Sequence, residues 1–317
     1  MSLSPEIKNK TPLIAIFSCC LVWGTTFVIV KDSATLIDPF LLSTFRNSIA
    51  AIVLIIYILL RKKTAALKDK KMLIYGGILG LLLAAIYIIQ TIGLIYTTSN
   101  HSAFISCSVV IMVPVILYFM GWQKFILKQV LAIVVVTVGL ILLTYHPVED
   151  SFNFGDILTF IAAIICAFHL IFAGHYVRKV DFLSLIFYQF FIAAIASSLG
   201  LFINVNFISN EPILFHPDSI NNVLYLGFVG TLFCYFVTVW SQKKVSTMYT
   251  ALIFSLEPIF ASITSYFVLG EYFNTNEFIG AALIFISIIY YSLPKDFLLN
   301  LFRSKSQLSC IKSKNCD

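Results

Sequence analysis

The sequence predicts an all-α polytopic membrane protein, with ten transmembrane helices arranged as two inverted repeats of five. Three observations predict this fold. The 317 residues are 60% hydrophobic and 11% charged, a composition too apolar for a soluble chain of this length. The basic residues alternate between the ends of successive apolar runs, and the two halves of the chain resemble each other in sequence.

Ten apolar runs are long enough to cross a bilayer, which takes roughly 20 residues in a helix. The first run follows Lys8 and Lys10. It is longer than the apolar core of a signal peptide, about 7 to 15 residues, and it lacks a clear cleavage site, so we count it as a span. In chain order, the predicted spans 1 to 10 are Leu13–Val30, Phe40–Leu60, Met72–Tyr96, Ala103–Gly121, Leu127–Tyr145, Gly155–Gly174, Phe182–Ile203, Val223–Ser241, Met248–Leu269 and Glu277–Leu293.

The basic residues indicate the number and the direction of the spans. If the N-terminus is cytoplasmic, every Lys and Arg except Lys31 and Arg46 falls on the cytoplasmic side. One span more or fewer would break this alternation, so we expect both termini in the cytoplasm. The net charge of +6 does not indicate a nucleic-acid partner, because the basic residues lie in short loops and a tail and never form a continuous stripe.

Internal similarity divides the chain into two repeats. One constant offset aligns Asp38 with Asp181, and a slightly larger one aligns Ala103 with Ala251. Five spans per repeat is an odd number, so the second copy starts on the opposite side of the membrane and must be inverted. Inverted halves are typical of transporters, since they can open a central site to one side and then to the other. The predicted segments are a cytoplasmic N-terminus (1–12), repeat 1 (13–147), repeat 2 (155–294) and a basic cytoplasmic tail (295–317).

Span 9 carries the most informative pair of residues, Glu257 followed by Pro258. A carboxylate at this depth costs on the order of 2.5 to 3.5 kcal/mol, and such groups usually face the interior of a bundle or a watery cavity. Pro258 has no N–H with which to bond the carbonyl of Phe254, so we expect the helix to bend beside the acid. Glu257 can bind a substrate amine or exchange a proton that drives transport. Alternatively, neighbouring hydroxyls satisfy it and it only fixes the bend.

Short motifs in spans 1, 2, 9 and 10 carry a family resemblance. The motifs are Trp23-Gly24-Thr25-Thr26-Phe27, Pro39 with Phe45-Arg46, Leu256-Glu257-Pro258 with Gly270-Glu271, and Gly280. In this order and at this spacing they resemble the EamA-type members of the drug/metabolite transporter superfamily. The resemblance covers both repeats. It implies two EamA repeats that form a secondary carrier for a small-molecule substrate, most often an exporter of amino acids, metabolites or toxic compounds in a bacterial inner membrane.

Three stretches depart from the pattern of that family. They are Met112-Val113-Pro114, Gly121-Trp122-Gln123 and Cys166, which stand where a Glu-Pro, a Gly-Glu and a tryptophan are expected. These departures leave the expected fold unchanged, but they prevent a substrate from being assigned by similarity.

Two roles are open for Arg46, which lies within span 2. Its long side chain can reach the membrane interface, or it can pair with Asp38 or Asp32. In the alternative role it is the counter-charge of a substrate carboxylate, or a gating partner of Glu257. The repeat alignment places Gln189 at the equivalent position, so packing alone does not require a charge there.

Other polar or aromatic residues in the spans can line a central path. For each of them, hydrogen bonding or packing between helices is the alternative role. His169 is either a packed histidine or a second titrating group at an inner gate. With Glu257, Pro258 and Arg46, the candidates for the pathway of substrate and proton are Trp23, Thr25, Thr26, Tyr87, Gln90, Ser106, His169 and Tyr235.

The sequence indicates a transporter rather than an enzyme. It contains no paired catalytic carboxylates, no ATP-binding loop and no metal or cofactor motif, and the seven cysteines form neither a disulfide framework nor a metal site. Beyond the substrate, we expect lipid as a partner, possible coupling to protons, and a monomer or a homodimer. An importer of the same fold, and a membrane sensor or assembly subunit without transport, are the alternative functions.

Overall fold

The structure is a computed structural model that describes residues 11–64, 67, 69–144, 153–208, 212–269 and 275–293. Within these ranges the chain is almost entirely helical and contains no β-strand. The predicted tail and the Gly270-Glu271 motif lie outside them. The helices are α1 Thr11–Ser33, α2 Pro39–Leu60, α3 Lys70–Tyr96, α4 Ser99–Ser106, α5 Val109–Phe119, α6 Leu127–Thr144, α7 Phe154–Tyr176, α8 Phe182–Ile203, α9 Ser219–Tyr225, α10 Cys234–Ser241, α11 Thr247–Phe254, α12 Glu257–Leu269 and α13 Thr275–Ser292, with π-helical segments at Asn204–Ile208 and Leu226–Phe233.

The helices account for the ten predicted spans. Eight helical stretches are long and apolar enough to cross a membrane, and shorter apolar helices at Leu127–Leu142 and Phe278–Tyr291 lie at the positions of spans 5 and 10. Large apolar side chains face outward, among them Leu60 at 77% and Phe119 at 81% exposure, as expected for a surface in contact with lipid. The predicted all-α fold of a multi-pass membrane protein is therefore confirmed.

Equivalent aspartates start equivalent helices in the two repeats. Asp38 precedes α2 and accepts hydrogen bonds from the backbone N–H groups of Phe40 and Leu41. Asp181 precedes α8 and accepts from the N–H and the hydroxyl of Ser184. Side-chain caps of this kind satisfy N–H groups that have no partner inside the helix. The repeat alignment thus extends to the chemistry of the helix ends.

Spans 4 and 9 are each broken at corresponding positions. Span 9 breaks between α11 and α12, directly before Pro258, as the missing N–H predicts. Span 4 breaks between α4 and α5, although the residue equivalent to Pro258 is Val110. The caps correspond as well, because Thr98 caps α4 and Ser246 caps α11, each through its hydroxyl oxygen. The sequence did not predict the break in span 4.

Equivalent helices of the two repeats make equivalent contacts, each with helices of the other repeat. Helix α1 packs along α12, and α7, its equivalent in repeat 2, packs along α4 and α5. Two further pairs join equivalent helices to each other: α2 with α8, and α6 with α13. The repeats are therefore interleaved, and the centre of the bundle is built from both of them.

Gly24 allows α1 and α12 to cross at close range. A Cβ atom at this position would lie 2.5 Å from the Cβ of Phe260 and 2.9 Å from the backbone nitrogen of Ala261. Only glycine permits so close an approach of two helix backbones. The crossing also sets the position of Glu257 relative to α1, because Glu257 lies one helical turn before Phe260 in α12.

Candidate functional site

A cavity lies at the centre of the bundle and is lined by residues of both repeats. Its free space is about 980 Å³ including its opening, of which the centre of a water-sized sphere can reach about 90 Å³. That is enough for several water molecules. Of the predicted pathway residues, the cavity brings together Trp23, Thr26, Arg46, Tyr87, Gln90, Ser106, His169, Tyr235 and Glu257.

Two predicted residues do not line this cavity. The hydroxyl of Thr25 lies 2.7 Å from the hydroxyl of Tyr225 and bonds the carbonyl of Val22, so it joins α1 to α9. Pro258 is the second residue of α12 and interrupts the backbone ladder beside Glu257. Both residues contribute to the packing around the site.

Glu257 faces the cavity as the first residue of α12. Its exposure is 9%, and no group within the described ranges hydrogen-bonds its carboxylate. Its electrostatic neighbours are buried thiols, including Cys20, Cys107 and Cys166, and no cation is among them. The alternative role, in which neighbouring hydroxyls satisfy the carboxylate, has no such hydroxyl among the described residues. A buried carboxylate without a partner is costly and requires a proton, water or a ligand cation.

The carbonyl of Phe254 has no donor within its own helix, because Pro258 lacks an N–H. It instead accepts a hydrogen bond from a residue at the break of span 4. The sulfur of Cys107, which lies at the break of span 4, is 3.5 Å from this oxygen and donates to it. A thiol is a weak donor, so the interaction stabilises the carbonyl only modestly. The two breaks are thereby in direct contact across the interface between the repeats.

Arg46 is 3% exposed and is held by Tyr87 and Thr231. Its Nε donates to the hydroxyl of Thr231 at 3.0 Å, and the guanidinium carbon lies 3.8 Å from the centre of the Tyr87 ring. The Tyr87 hydroxyl is 3.1 Å from the same Thr231 oxygen. These contacts fix the plane of the guanidinium and leave its terminal nitrogens for the cavity.

The structure does not support pairing of Arg46 with Asp38 or Asp32. Asp38 caps α2, and Asp32 accepts a hydrogen bond from the amide of Asn222 at 2.9 Å. Within the described ranges no carboxylate lies in salt-bridge distance of Arg46. The side chain is turned into the bundle and does not reach for the interface.

Trp23 occupies the middle of the cavity wall. Its indole N–H donates to the carbonyl of Gly230 at 2.9 Å. Its ring meets Tyr235 and Phe254 edge-to-face, at centroid distances of 5.3 and 5.1 Å. The partner carbonyl belongs to the π-helical segment Leu226–Phe233, which also supplies Thr231 to Arg46. Such segments are frequent at functional sites, and sequence reasoning missed this one.

Gln90 and Ser106 form a polar stretch of wall between α3 and α4. The Gln90 amide donates to the Ser106 hydroxyl at 3.1 Å. Tyr87 and Gln90 both line the cavity, as their helical spacing predicts.

We call the two ends of the bundle the Lys31 end and the Arg178 end, after a residue at each. A polar network lies at the Lys31 end. Asp156 accepts from the Thr97 hydroxyl at 2.5 Å, and His101 Nδ1 lies 3.9 Å from the same carboxylate. The Lys31 ammonium bonds the backbone carbonyl of Thr97. This network joins α1, α3, α4 and α7, and sequence reasoning did not find it.

Toward the Arg178 end, several buried polar atoms form no regular hydrogen bond with another described residue, although the Gln189 amide approaches the His169 ring. They are His169 Nε2, Thr238 Oγ1, Gln242 Oε1 and both polar atoms of the Gln189 amide. We call these four residues the inner polar layer. Leaving a buried polar group unsatisfied costs about 1–3 kcal/mol, so a ligand or water that bonds these atoms would stabilise the layer. Three residues of this layer, His169, Thr238 and Gln242, line the cavity.

Replacing Thr238 by Val should stabilise this conformation. The change removes a hydroxyl that lacks a partner and keeps the side-chain shape, so we expect a gain of about 1 kcal/mol in the free energy of unfolding. Thr91→Val is the matched control, because Thr91 is equally buried but bonds the Tyr87 carbonyl at 2.7 Å. Thermal unfolding in nanodiscs measures both variants. A melting temperature that falls further for Thr238→Val than for Thr91→Val would contradict the assignment.

The sequence as a whole matches the EamA-like transporter family over residues 10–145 and 153–293, with one match in each repeat. The chain belongs to this family. The resemblance inferred from short motifs is thereby confirmed. EamA-like proteins are membrane transporters, so the family assignment supports transport rather than catalysis.

Relatives and a solved structure agree with this assignment. An uncharacterized transporter of Archaeoglobus fulgidus is 28% identical over 274 residues, which are 86% of this chain and 83% of that protein. YoaV, an uncharacterized transporter of Bacillus subtilis, is 22% identical over 86% of this chain and 93% of its own length. A crystal structure 16% identical in sequence superposes with a TM-score of 0.70 and covers 89% of this chain and 96% of that one. At this identity the superposition shows the fold alone.

Proposed function

We propose that this EamA-like transporter is a secondary active carrier that works by alternating access and exports a small solute across a bacterial inner membrane, with both termini cytoplasmic. The observation that carries the proposal is Glu257, a buried carboxylate with no partner in the described ranges, which faces a cavity between two inverted halves. A scaffold gains nothing from such a group. A carrier that binds and releases a cation or a proton does.

The two ends of the bundle supply the two closures that alternating access requires. In this proposal the network of Asp156 and Thr97 closes the outer, Lys31 end, and the inner polar layer closes the cytoplasmic, Arg178 end. The touching breaks of spans 4 and 9 are the natural hinge, because broken helices lose stiffness at the break.

Glu257 is the group that we expect to couple transport to the proton gradient. A carboxyl in an apolar cavity can cycle between a neutral protonated form and an anionic form as water enters from either side. When both ends of the cavity are closed, burying the neutral carboxyl costs little free energy, whereas burying the anion without a partner costs much more.

A screen of metabolites and toxic compounds, in cells that lack or overproduce the protein, tests the proposal. Positive compounds are then measured in proteoliposomes with an imposed pH gradient. We expect flux that follows the gradient and stops when an uncoupler removes it. Flux without any response to the gradient would refute coupling. Ligand binding without flux would refute transport and favour a sensor, and accumulation toward the cytoplasmic face would refute export.

A further inference from the structure

The cavity holds two buried ionisable side chains whose charged forms are opposite in sign, and neither has a protein counter-ion within the described ranges. From their placement we infer that the substrate is an elongated zwitterion, with its carboxylate on Arg46 and its ammonium on Glu257, as in an ω-amino acid. The inference rests on the proposed function, because it names the substrate class of the same cavity.

Arg46 provides a site for a carboxylate. Nε donates a hydrogen bond to Thr231 and Tyr87 covers one face of the guanidinium, so the group is fixed in orientation, and no described residue hydrogen-bonds its terminal nitrogens. A fixed guanidinium binds a carboxylate through two parallel hydrogen bonds, which a point charge such as ammonium cannot match. A buried cation without an anion is strongly disfavoured, so a ligand anion would stabilise the site.

Glu257 provides the opposite pole. It is nine-tenths buried and faces the cavity, and among the described residues its charged neighbours include no cation. An ammonium group would supply both the missing positive charge and hydrogen-bond donors. A solute with a single charge would satisfy one pole and leave the other unpaired. The site therefore favours a ligand that carries both charges.

The two poles lie at different heights in the bundle. Glu257 is level with Cys20 of α1, because it lies one helical turn before Phe260, which packs against Gly24, and because the Cys20 thiol donates to the carbonyl of Ile253. Arg46 is level with Thr26, since both approach Gly230. From Cys20 to Thr26 the helix rises about 9 Å, and the poles also lie on different helices, α12 and α2.

An α-amino acid cannot meet both poles at once, because it carries its two charges on neighbouring atoms and presents them in one direction. A solute with a methylene chain between its charges can extend from one pole to the other. Aromatic rings lie between the two poles. The ring centroids of Tyr87 and Tyr235 are 6.0 Å apart, and those of Tyr235 and Trp23 are 5.3 Å apart. An apolar spacer would pack against these rings and exclude water from the charges.

Four probes of nearly equal size test the inference on the full chain in nanodiscs by titration calorimetry. They are 6-aminohexanoate, its isomer norleucine, hexanoate and hexylamine. We expect 6-aminohexanoate to bind at least about tenfold more tightly than each of the others, since one additional charge pair of about 1.4 kcal/mol gives that factor. Equal or tighter binding of norleucine would overturn the required charge separation. Equal binding of hexanoate or hexylamine would overturn the two-pole site.

Variants then assign each pole. Arg46→Gln should remove the preference for 6-aminohexanoate over hexylamine, and Glu257→Gln should remove its preference over hexanoate. A loss of both preferences in either variant, or of neither, would overturn the assignment. If Arg46→Gln does not fold, Arg46→Lys keeps the charge without the fork and should weaken binding of both carboxylate probes. Gradient-driven flux of an unrelated solute, without binding of 6-aminohexanoate, would refute the substrate class and leave the proposed function intact.

Discussion

Replacing Glu257 by Gln is expected to reduce gradient-driven transport by at least about 100-fold. Glutamine has nearly the same size and remains polar, so the break before Pro258 and the packing of α12 should persist. It cannot exchange a proton, and it cannot supply a negative charge to a ligand. Both proposed tasks of Glu257 are therefore removed, while the cavity keeps its shape. Flux in proteoliposomes with an imposed pH gradient measures the effect.

Asp69→Asn is the matched control for this experiment. It makes the same change of a carboxylate to an amide, but Asp69 is exposed and caps the start of α3 at the end of the bundle. Transport by this variant should stay at the level of the unmodified protein. If Glu257→Gln is expressed normally and still transports in response to the pH gradient, Glu257 has no role in proton coupling.

The sequence alone was sufficient for the architecture. Ten spans follow from the apolar runs and the alternation of basic residues, and inversion follows from the odd number of spans per repeat. The break in span 9 was also predictable, because a proline removes a specific N–H regardless of its surroundings. Each of these properties depends on local chemistry or on the membrane, and both can be read from one chain.

The break in span 4 and the partners of Arg46 were not predictable in this way. In span 4 the residue equivalent to Pro258 is Val110, so the break there depends on tertiary contacts such as that between Cys107 and the Phe254 carbonyl. Whether Arg46 faces lipid, Asp38 or the cavity depends on the rotation of α2 within the bundle. That rotation is set by packing against α8 and the π-helical segment, which short apolar motifs do not encode.

The cavity itself was predicted only as a set of separate polar residues. Sequence reasoning treated Trp23, Tyr87 and Tyr235 as alternatives between packing and function. In the structure one residue can have both roles, since Tyr87 packs against Arg46 and also orients it through Thr231. Thr231 was missed because a threonine in an apolar span usually bonds its own helix.

Replacing Gly155 by Ala is expected to destabilise the protein by about 3 kcal/mol, a large value for one added methyl group. The new Cβ would lie 2.4 Å from the Gly93 carbonyl oxygen, 2.8 Å from the Thr97 nitrogen and 2.9 Å from the Tyr96 carbonyl carbon. All three atoms are backbone, so no side chain can rotate to make room. Helix α7 would have to move away from α3.

That movement would also break the proposed closure at the Lys31 end, because Asp156 follows Gly155 directly and accepts a hydrogen bond from the Thr97 hydroxyl at 2.5 Å. We therefore expect both a lower melting temperature in nanodiscs and uncoupled leakage of solute through the Lys31 end. Gly77→Ala is the matched control on α3, since nothing lies within 4 Å of the new atom there. It should be neutral or stabilising by roughly 0.5–1 kcal/mol, as for glycine in a helix interior. Equal stability of the two variants would show that α3 and α7 can separate without cost, and the close crossing would then not be what holds the repeats together at this end.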